Sequence, residues 1–179
     1  EATSLIVPEG RLDVVAYSCT SGTAVMGFDK IRSLIQAARP GIAVVTPITS
    51  SLAALDLFRA QRIAVLTPYV DDVNADIARY LEDHGKSISA FSSFKIVENE
   101  TMALVTPQSI FNAALEADRD DADALFISCT AIRAVEVIDK IEQKLGKPVI
   151  TAVQAMFWQS LRFAGFNGKI SGYGQLMCL

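Results

Sequence analysis

The sequence predicts an α/β fold made of two pseudo-symmetric parallel-sheet lobes with a cleft between them. Three observations predict it. Short apolar runs alternate with segments of helical periodicity, the runs are continuously apolar, and one part of the chain repeats another. Strands that are apolar on both faces are typical of a parallel sheet that helices cover on each side.

Strands and helices alternate along the whole chain. Runs rich in Val, Ile, Leu and Ala predict strands at residues 13–17, 42–45, 62–66, 90–94, 124–127 and 148–150. Residues at helical spacing in the other segments predict helices at 24–37, 49–60, 71–83, 109–117, 132–145 and 154–164. Helix-ending glycines agree with these assignments, because Gly85 lies two residues after one helix and Gly146 directly follows another.

An internal repeat supports the two-lobe interpretation. The sequence Ser-Cys-Thr occurs at 18–20 and again at 128–130, and ten residues after each cysteine the chain reads Asp-Lys-Ile. Two similar stretches of this kind indicate two similar structural units.

The repeat also predicts the extent of each lobe. We expect a first lobe over residues 1–61, completed by residues 165–179, and a second lobe over residues 62–164. The second unit begins 67 residues before its cysteine, whereas 18 residues precede the first cysteine. By this comparison the first lobe lacks roughly 50 residues at its N-terminus, so we expect the sequence to be a fragment.

Composition and charge exclude several functional classes. The chain of 179 residues is 51% hydrophobic and 20% charged, which is typical of a folded domain rather than a disordered one. Its net charge of −4 offers no basic stripe for nucleic acid. The apolar runs are too short for a membrane span, and the first residues do not resemble a signal peptide. We expect a cytoplasmic protein that binds neither nucleic acid nor membranes; composition leaves room for a homo-oligomer.

Metal and nucleotide chemistry have little support. The chain has one histidine and no cysteine pair at metal-ligand spacing. It also lacks a glycine-rich phosphate-binding loop. We therefore expect no metal site and no cofactor.

Cys19 and Cys129 are the candidate catalytic residues. Each is predicted to lie where a strand ends and a helix begins, at the edge where open α/β sheets bind ligands. The N-terminus of a helix favours an anion and lowers the pKa of a thiol. Two thiols on opposite sides of a cleft could act as base and acid on opposite faces of one carbon, which racemisation requires, or as nucleophile and proton donor. The alternative is that both are small buried core residues.

Neighbouring hydroxyl groups predict a carboxylate substrate. Thr20, Ser21 and Thr130 lie in the first turns after the cysteines, and Tyr69 follows the first strand of the second lobe. Hydroxyl and backbone N–H groups at such positions bind anions. The alternatives are ordinary N-capping for the Thr and Ser residues and lobe-interface packing for Tyr69.

Four motifs together resemble the aspartate/glutamate racemase superfamily. They are the stretches at 18–23, 69–74, 128–130 and 172–174. The similarity covers essentially the whole chain. It is greatest to the branch that contains arylmalonate decarboxylase, maleate cis–trans isomerase and the racemase-like proteins of ectoine utilisation.

This resemblance implies an Asp/Glu racemase-like fold and cofactor-independent chemistry beside a carboxylate. The decarboxylase pattern implies that Thr20, Ser21, Tyr69 and the turn at residues 129–130 cradle a carboxylate or an enediolate. The same pattern has a single catalytic cysteine, which corresponds to Cys129.

The chain also departs from the decarboxylase pattern, because Cys19 replaces a glycine. Two cysteines are the pattern of the racemases and of maleate isomerase, and the isomerase role of adding to a double bond would fall on Cys19. An N-terminal segment whose asparagine binds substrate in the family is absent from the sequence.

The main functional hypothesis is a cofactor-independent isomerase or racemase that acts next to the carboxylate of a small carboxylic or amino acid, in ectoine catabolism by resemblance. Cys19 and Cys129 would work from opposite sides of the cleft. Three alternatives stay open: a decarboxylase that uses Cys129 alone, a maleate isomerase with Cys19 as nucleophile, and a non-catalytic carboxylate-binding protein.

Overall fold

The computed structural model describes residues 1–7 and 10–179, which contain two parallel β-sheets. The smaller sheet pairs β1 (Val14–Ala16) with β2 (Ala43–Val45). The larger sheet has the strand order β4-β3-β5-β6, formed by β3 (Arg62–Thr67), β4 (Ser87–Ser93), β5 (Ala124–Ile127) and β6 (Val149–Thr151). All its neighbouring strands run parallel, which confirms the predicted α/β class.

Helices connect the strands, as parallel pairing requires. The α-helices are α1 (Ala2–Leu5), α2 (Thr20–Met26), α3 (Phe28–Ala38), α4 (Pro47–Leu57), α5 (Asp71–Asp83), α6 (Asn99–Ala103), α7 (Pro107–Ala117), α8 (Ile138–Leu145) and α9 (Ala152–Phe163). Short 3₁₀ helices cover Ala134–Val137 and Gln175–Cys178. No helix among residues 1–7 and 10–179 has the length and apolar character that crossing a bilayer requires.

Two predicted helices differ from the structure. The single helix predicted at 24–37 is wrong, because the chain forms α2 and α3 with a break at Gly27. Gly27 has φ of +81°, a conformation outside the helical range that glycine adopts readily. The helix predicted at 132–145 is α-helical only in its second part, since its first turn is the 3₁₀ segment. The short helices α1 and α6 are absent from the prediction.

Each sheet has its own apolar core. The two central strands β3 and β5 and the edge strand β6 are buried almost throughout, and their side chains pack against α4, α5, α7, α8 and α9. A smaller cluster consists of Val15 and Val44 from the small sheet with Ile31 and Ile35 from α3. The three- and four-residue spacing of apolar residues along α3 explains why its inner face packs on this sheet.

The repeat is visible in the strand pairing. β1 pairs with β2 and β5 pairs with β6 in the same parallel sense, with Val15 opposite Val44 and Phe126 opposite Ile150. The cysteine of each repeat follows the first strand of its pair. The division into lobes stays a prediction.

The helices α4 and α9 join the two sheets. They pack against each other, α9 also contacts β1 and β2, and α4 contacts β6. The Ser50 hydroxyl of α4 donates a 2.6 Å hydrogen bond to the Gln159 side-chain carbonyl of α9. The carboxyl ends of both sheets are thereby held in a fixed relation.

The C-terminal segment is attached to α8. The Gly174 backbone N–H donates to the Asp139 carboxylate at 2.6 Å, and the Gln175 N–H donates to the Glu142 carboxylate at 2.9 Å. Burial raises the pKa of Glu142 above its ordinary value, and the nearby Asp139 charge adds to the increase.

Candidate active site

Cys19 begins α2, as the sequence predicts. It is the N-cap residue, in an extended conformation with φ of −138°, and its sulfur accepts a 3.3 Å hydrogen bond from the Gly22 backbone N–H. The Ser21 hydroxyl lies 3.9 Å from the same sulfur. The half-buried thiol therefore lies within the N–H groups of a helix N-terminus, an environment that favours negative charge.

Tyr17, which lies between β1 and α2, also contacts this first turn, and it was not among the site residues predicted from the sequence. A Cβ added at Gly22 would lie 2.7 Å from the Tyr17 hydroxyl and 2.9 Å from the Cys19 sulfur, so the phenol and the thiol share the space over this glycine. Burial and the adjacent Cys19 raise the pKa of Tyr17. The available signal was its position two residues before the cysteine, since alternate residues of an extended chain point to the same side.

Cys129 lies at the end of β5 in a different backbone conformation. It has φ of +84°, which non-glycine residues seldom adopt, and its sulfur accepts a 3.3 Å hydrogen bond from the Ala131 N–H. The prediction that a helix begins at this cysteine is wrong, because a turn follows it and the 3₁₀ segment starts only at Ala134. The turn that follows Cys129, with its positive φ, therefore differs from the helix start at Cys19.

Tyr69 is buried in the turn after β3, and hydrogen bonds fix this turn. The Thr67 hydroxyl donates to the Asn74 side-chain oxygen at 2.5 Å, and the Asn74 amide donates to the Tyr69 carbonyl at 2.9 Å. The Ser93 hydroxyl also donates to that carbonyl. Asn74 and Ser93 are therefore positioning residues for Tyr69, and neither was identified as such from the sequence.

The Tyr69 phenol lies where residues of the two repeats meet. Burial raises its pKa well above the ordinary value for tyrosine, and the adjacent Cys129 thiol adds to this effect. Thr20 and Ser128 lie close enough to influence the same hydroxyl, although neither side-chain oxygen has a hydrogen-bond partner of normal geometry. The phenol stays protonated at neutral pH and is available as a hydrogen-bond donor.

A direct contact joins the two cysteine turns. The Thr130 hydroxyl donates a 3.2 Å hydrogen bond to the Ser18 backbone carbonyl. The structure thus brings all six predicted site residues into two adjoining turns and the Tyr69 turn: Cys19, Thr20, Ser21, Tyr69, Cys129 and Thr130. Their catalytic and binding roles stay predictions.

In the part of the chain that the structure describes, no three His, Cys, Asp or Glu side chains are grouped so that they could hold a metal ion. The chemistry available at the site is that of thiols, hydroxyls and backbone N–H groups.

Known proteins share this fold and sequence pattern. The sequence profile of the arylmalonate decarboxylase family matches residues 13–177. Arylmalonate decarboxylase of Bordetella bronchiseptica is 31% identical over 139 residues, which are 76% of this chain and 58% of that protein. Maleate isomerase of Nocardia farcinica is 26% identical over 188 residues, covering 99% of this chain and 74% of that protein.

A solved structure gives the same result. A glycine-to-cysteine, cysteine-to-serine double mutant of arylmalonate decarboxylase, in its liganded form, superimposes with a TM-score of 0.84 at 29% identity, covering 92% of this chain and 72% of that one. Proteins with this fold and similar sequences thus include a decarboxylase and isomerases. The chain belongs to the arylmalonate decarboxylase family, which confirms the resemblance to this branch of the superfamily.

Proposed function

We propose that this chain belongs to a cofactor-independent isomerase that acts beside the carboxylate of a small carboxylic acid, with Cys19 and Cys129 as its reacting groups. One observation carries the proposal: the two cysteine turns are hydrogen-bonded to each other, and residues from both surround the Tyr69 phenol. The proposal requires that a single small molecule bound between these turns contacts both thiols. A role in ectoine catabolism remains a prediction from resemblance.

The arrangement supports two balanced reactions of this class. In a racemisation, one thiolate removes the α-proton and the other thiol returns a proton to the opposite face, so the two thiols exchange protonation states. In a cis–trans isomerisation, a thiolate adds to the double bond, the resulting single bond rotates, and the thiolate leaves again. Both pass through negative charge on the carboxylate oxygens, which the Tyr69 and Thr20 hydroxyls and backbone N–H groups would stabilise.

Decarboxylation is the second candidate, because the family profile and one relative are those of arylmalonate decarboxylase. In this reaction carbon dioxide leaves a malonate-type diacid, and Cys129 alone protonates the resulting enediolate. Cys19 would then have no reacting role.

Proton NMR in deuterium oxide separates the candidates. The protein would be incubated with maleate, with L-aspartate and L-glutamate, and with phenylmalonate. Conversion of maleate to fumarate, or α-deuteration with loss of optical purity, supports the proposal. Loss of one carboxyl group from phenylmalonate supports decarboxylation instead. No change in any compound contradicts both.

Two variants assign the thiols. Cys19→Gly should abolish isomerisation but leave decarboxylation intact, whereas Cys129→Ser should abolish each reaction. Cys178→Ser is the matched control, since this third cysteine lies in the C-terminal segment, where its thiol donates to the Ile170 carbonyl. An isomerase that tolerates Cys19→Gly would refute the two-thiol mechanism.

A further inference from the structure

Ser128 carries a buried hydroxyl beside the Tyr69 phenol. Its side chain is fully buried, yet Oγ has no hydrogen-bond partner among the described residues. Buried hydroxyls are nearly always paired, because an unmade hydrogen bond in the interior is destabilising. The Ser128 backbone is itself fixed, since its N–H donates to the Leu66 carbonyl at 2.9 Å.

A second such hydroxyl lies nearby on the other repeat. Thr20 Oγ1 is also buried without a hydrogen-bond partner of normal geometry among the described residues, and Ser128 Oγ and Thr20 Oγ1 flank the Tyr69 phenol. Thr20 follows the first cysteine and Ser128 precedes the second. The three hydroxyls therefore converge from three separate turns on the space beside Cys129.

Converging hydroxyls without protein acceptors are suited to an oxygen anion. Each O–H can donate one hydrogen bond. Donors that are already held in place before the ligand arrives need little reorganisation when they bind it. A carboxylate or enediolate has oxygens that accept several such bonds.

We propose that the Ser128 hydroxyl is a direct substrate-binding group, which donates a hydrogen bond to a carboxylate oxygen of the substrate together with Thr20 and Tyr69. This inference rests on the proposed function and extends its binding site beyond the residues predicted from sequence. It explains why a position inside the second cysteine turn holds a buried hydroxyl that has no partner of normal hydrogen-bond geometry among the described residues.

The test compares Ser128→Ala with Ser51→Ala. Ser51 is equally buried, but its hydroxyl donates a 2.8 Å hydrogen bond to the Pro47 carbonyl in α4. We expect Ser128→Ala to keep or raise the Tm and to lose about 100-fold in kcat, the effect of removing one oxyanion-binding donor. Ser51→Ala should lower the Tm and keep kcat. If Ser128→Ala does not fold, Ser128→Cys, which keeps the size with a weaker donor, takes its place.

A binding measurement separates this inference from the proposed function. Maleate and phenylmalonate should raise the Tm of the wild type. Ser128→Ala should need at least a tenfold higher ligand concentration to reach the same rise in Tm. A wild type that binds but does not turn over either compound refutes the proposed reaction alone. Equal binding and turnover by wild type and Ser128→Ala refutes the role of Ser128 alone. A wild type that neither binds nor reacts overturns both.

Discussion

The Thr130 hydroxyl donates its hydrogen bond to the backbone carbonyl of Ser18, 112 positions away in the chain. Each of these residues is adjacent to a cysteine. The bond therefore fixes one thiol-bearing turn relative to the other without involving either sulfur. In the N-capping interpretation, the Thr130 side chain would instead bond to its own turn.

Thr130→Val should lower turnover more than stability. The substitution keeps the shape of the side chain and removes one partly exposed hydrogen bond, which is worth about 0.5–1.5 kcal/mol. Small shifts between reacting groups reduce rates strongly, so we expect at least a tenfold loss of kcat. Urea unfolding and turnover of the same preparations would measure the two effects. Thr130→Ser, which keeps the hydroxyl, should retain activity; equal losses in both variants would contradict this role.

Gly22→Ala should impair the first thiol and give no net gain in stability. Replacing glycine by alanine inside a helix ordinarily stabilises a protein by about 0.5–1 kcal/mol. The new methyl group, however, would lie 2.7 Å from the Tyr17 hydroxyl and 2.9 Å from the Cys19 sulfur, and these side-chain ends would have to move. We expect slower alkylation of Cys19 by iodoacetamide, read by peptide mass spectrometry, with an unchanged rate at Cys129. An unchanged alkylation rate at Cys19 would show that the Tyr17 hydroxyl and the Cys19 sulfur do not lie close to position 22.

Cys129→Gly should be more stable than Cys129→Ala, although both lack the thiol. The φ of +84° is strained for any residue with a Cβ, at a cost of about 1–3 kcal/mol, and glycine removes that strain. Thermal unfolding of the pair would measure the difference. A lower Tm for the glycine variant would mean that this backbone conformation is unstrained. Such strain is common at functional sites, where a conformation that lowers stability is retained.

Stability should depend on pH through Glu142, whose pKa is raised mainly by burial. A carboxyl with a raised pKa in the folded state favours folding while protonated. Its contribution is complete below the ordinary glutamate pKa of about 4.3 and is lost as pH rises through the folded value. The free energy of unfolding of wild type relative to Glu142→Gln should therefore decrease from pH 4 to pH 7, as urea titrations would show. An increase in this relative free energy of unfolding from pH 4 to pH 7 would contradict a raised pKa for Glu142.

The sequence was sufficient to predict the structural features that follow from repeated or alternating patterns. Continuous apolar strands predicted the parallel sheets, and the duplicated Ser-Cys-Thr turns predicted which residues would meet. It was insufficient where one residue changes the local backbone. Gly27 divides a segment of good helical periodicity, and Cys129 adopts a conformation that its repeat counterpart Cys19 does not. Neither departure alters the apolar pattern from which the elements were predicted.

The missed site residues share a different cause. Tyr17, Asn74, Ser93 and Ser128 act through hydrogen bonds or contacts that depend on three-dimensional neighbours. Asn74 and Ser93 lie on α5 and β4, and they meet at the Tyr69 carbonyl because β3 and β4 are adjacent. Ser128 is distinguished by a bond that it does not make, which no sequence pattern reveals.

The packing of α9 on α4 also has a consequence for folding. Because α9 follows the last strand of the large sheet and yet covers the small one, this one helix contributes to the packing of both sheets. Melting of one would expose the face that protects the other. Loss of structure should therefore spread through the whole molecule as a single cooperative event, and the geometry between the two thiols persists for as long as the protein is folded at all.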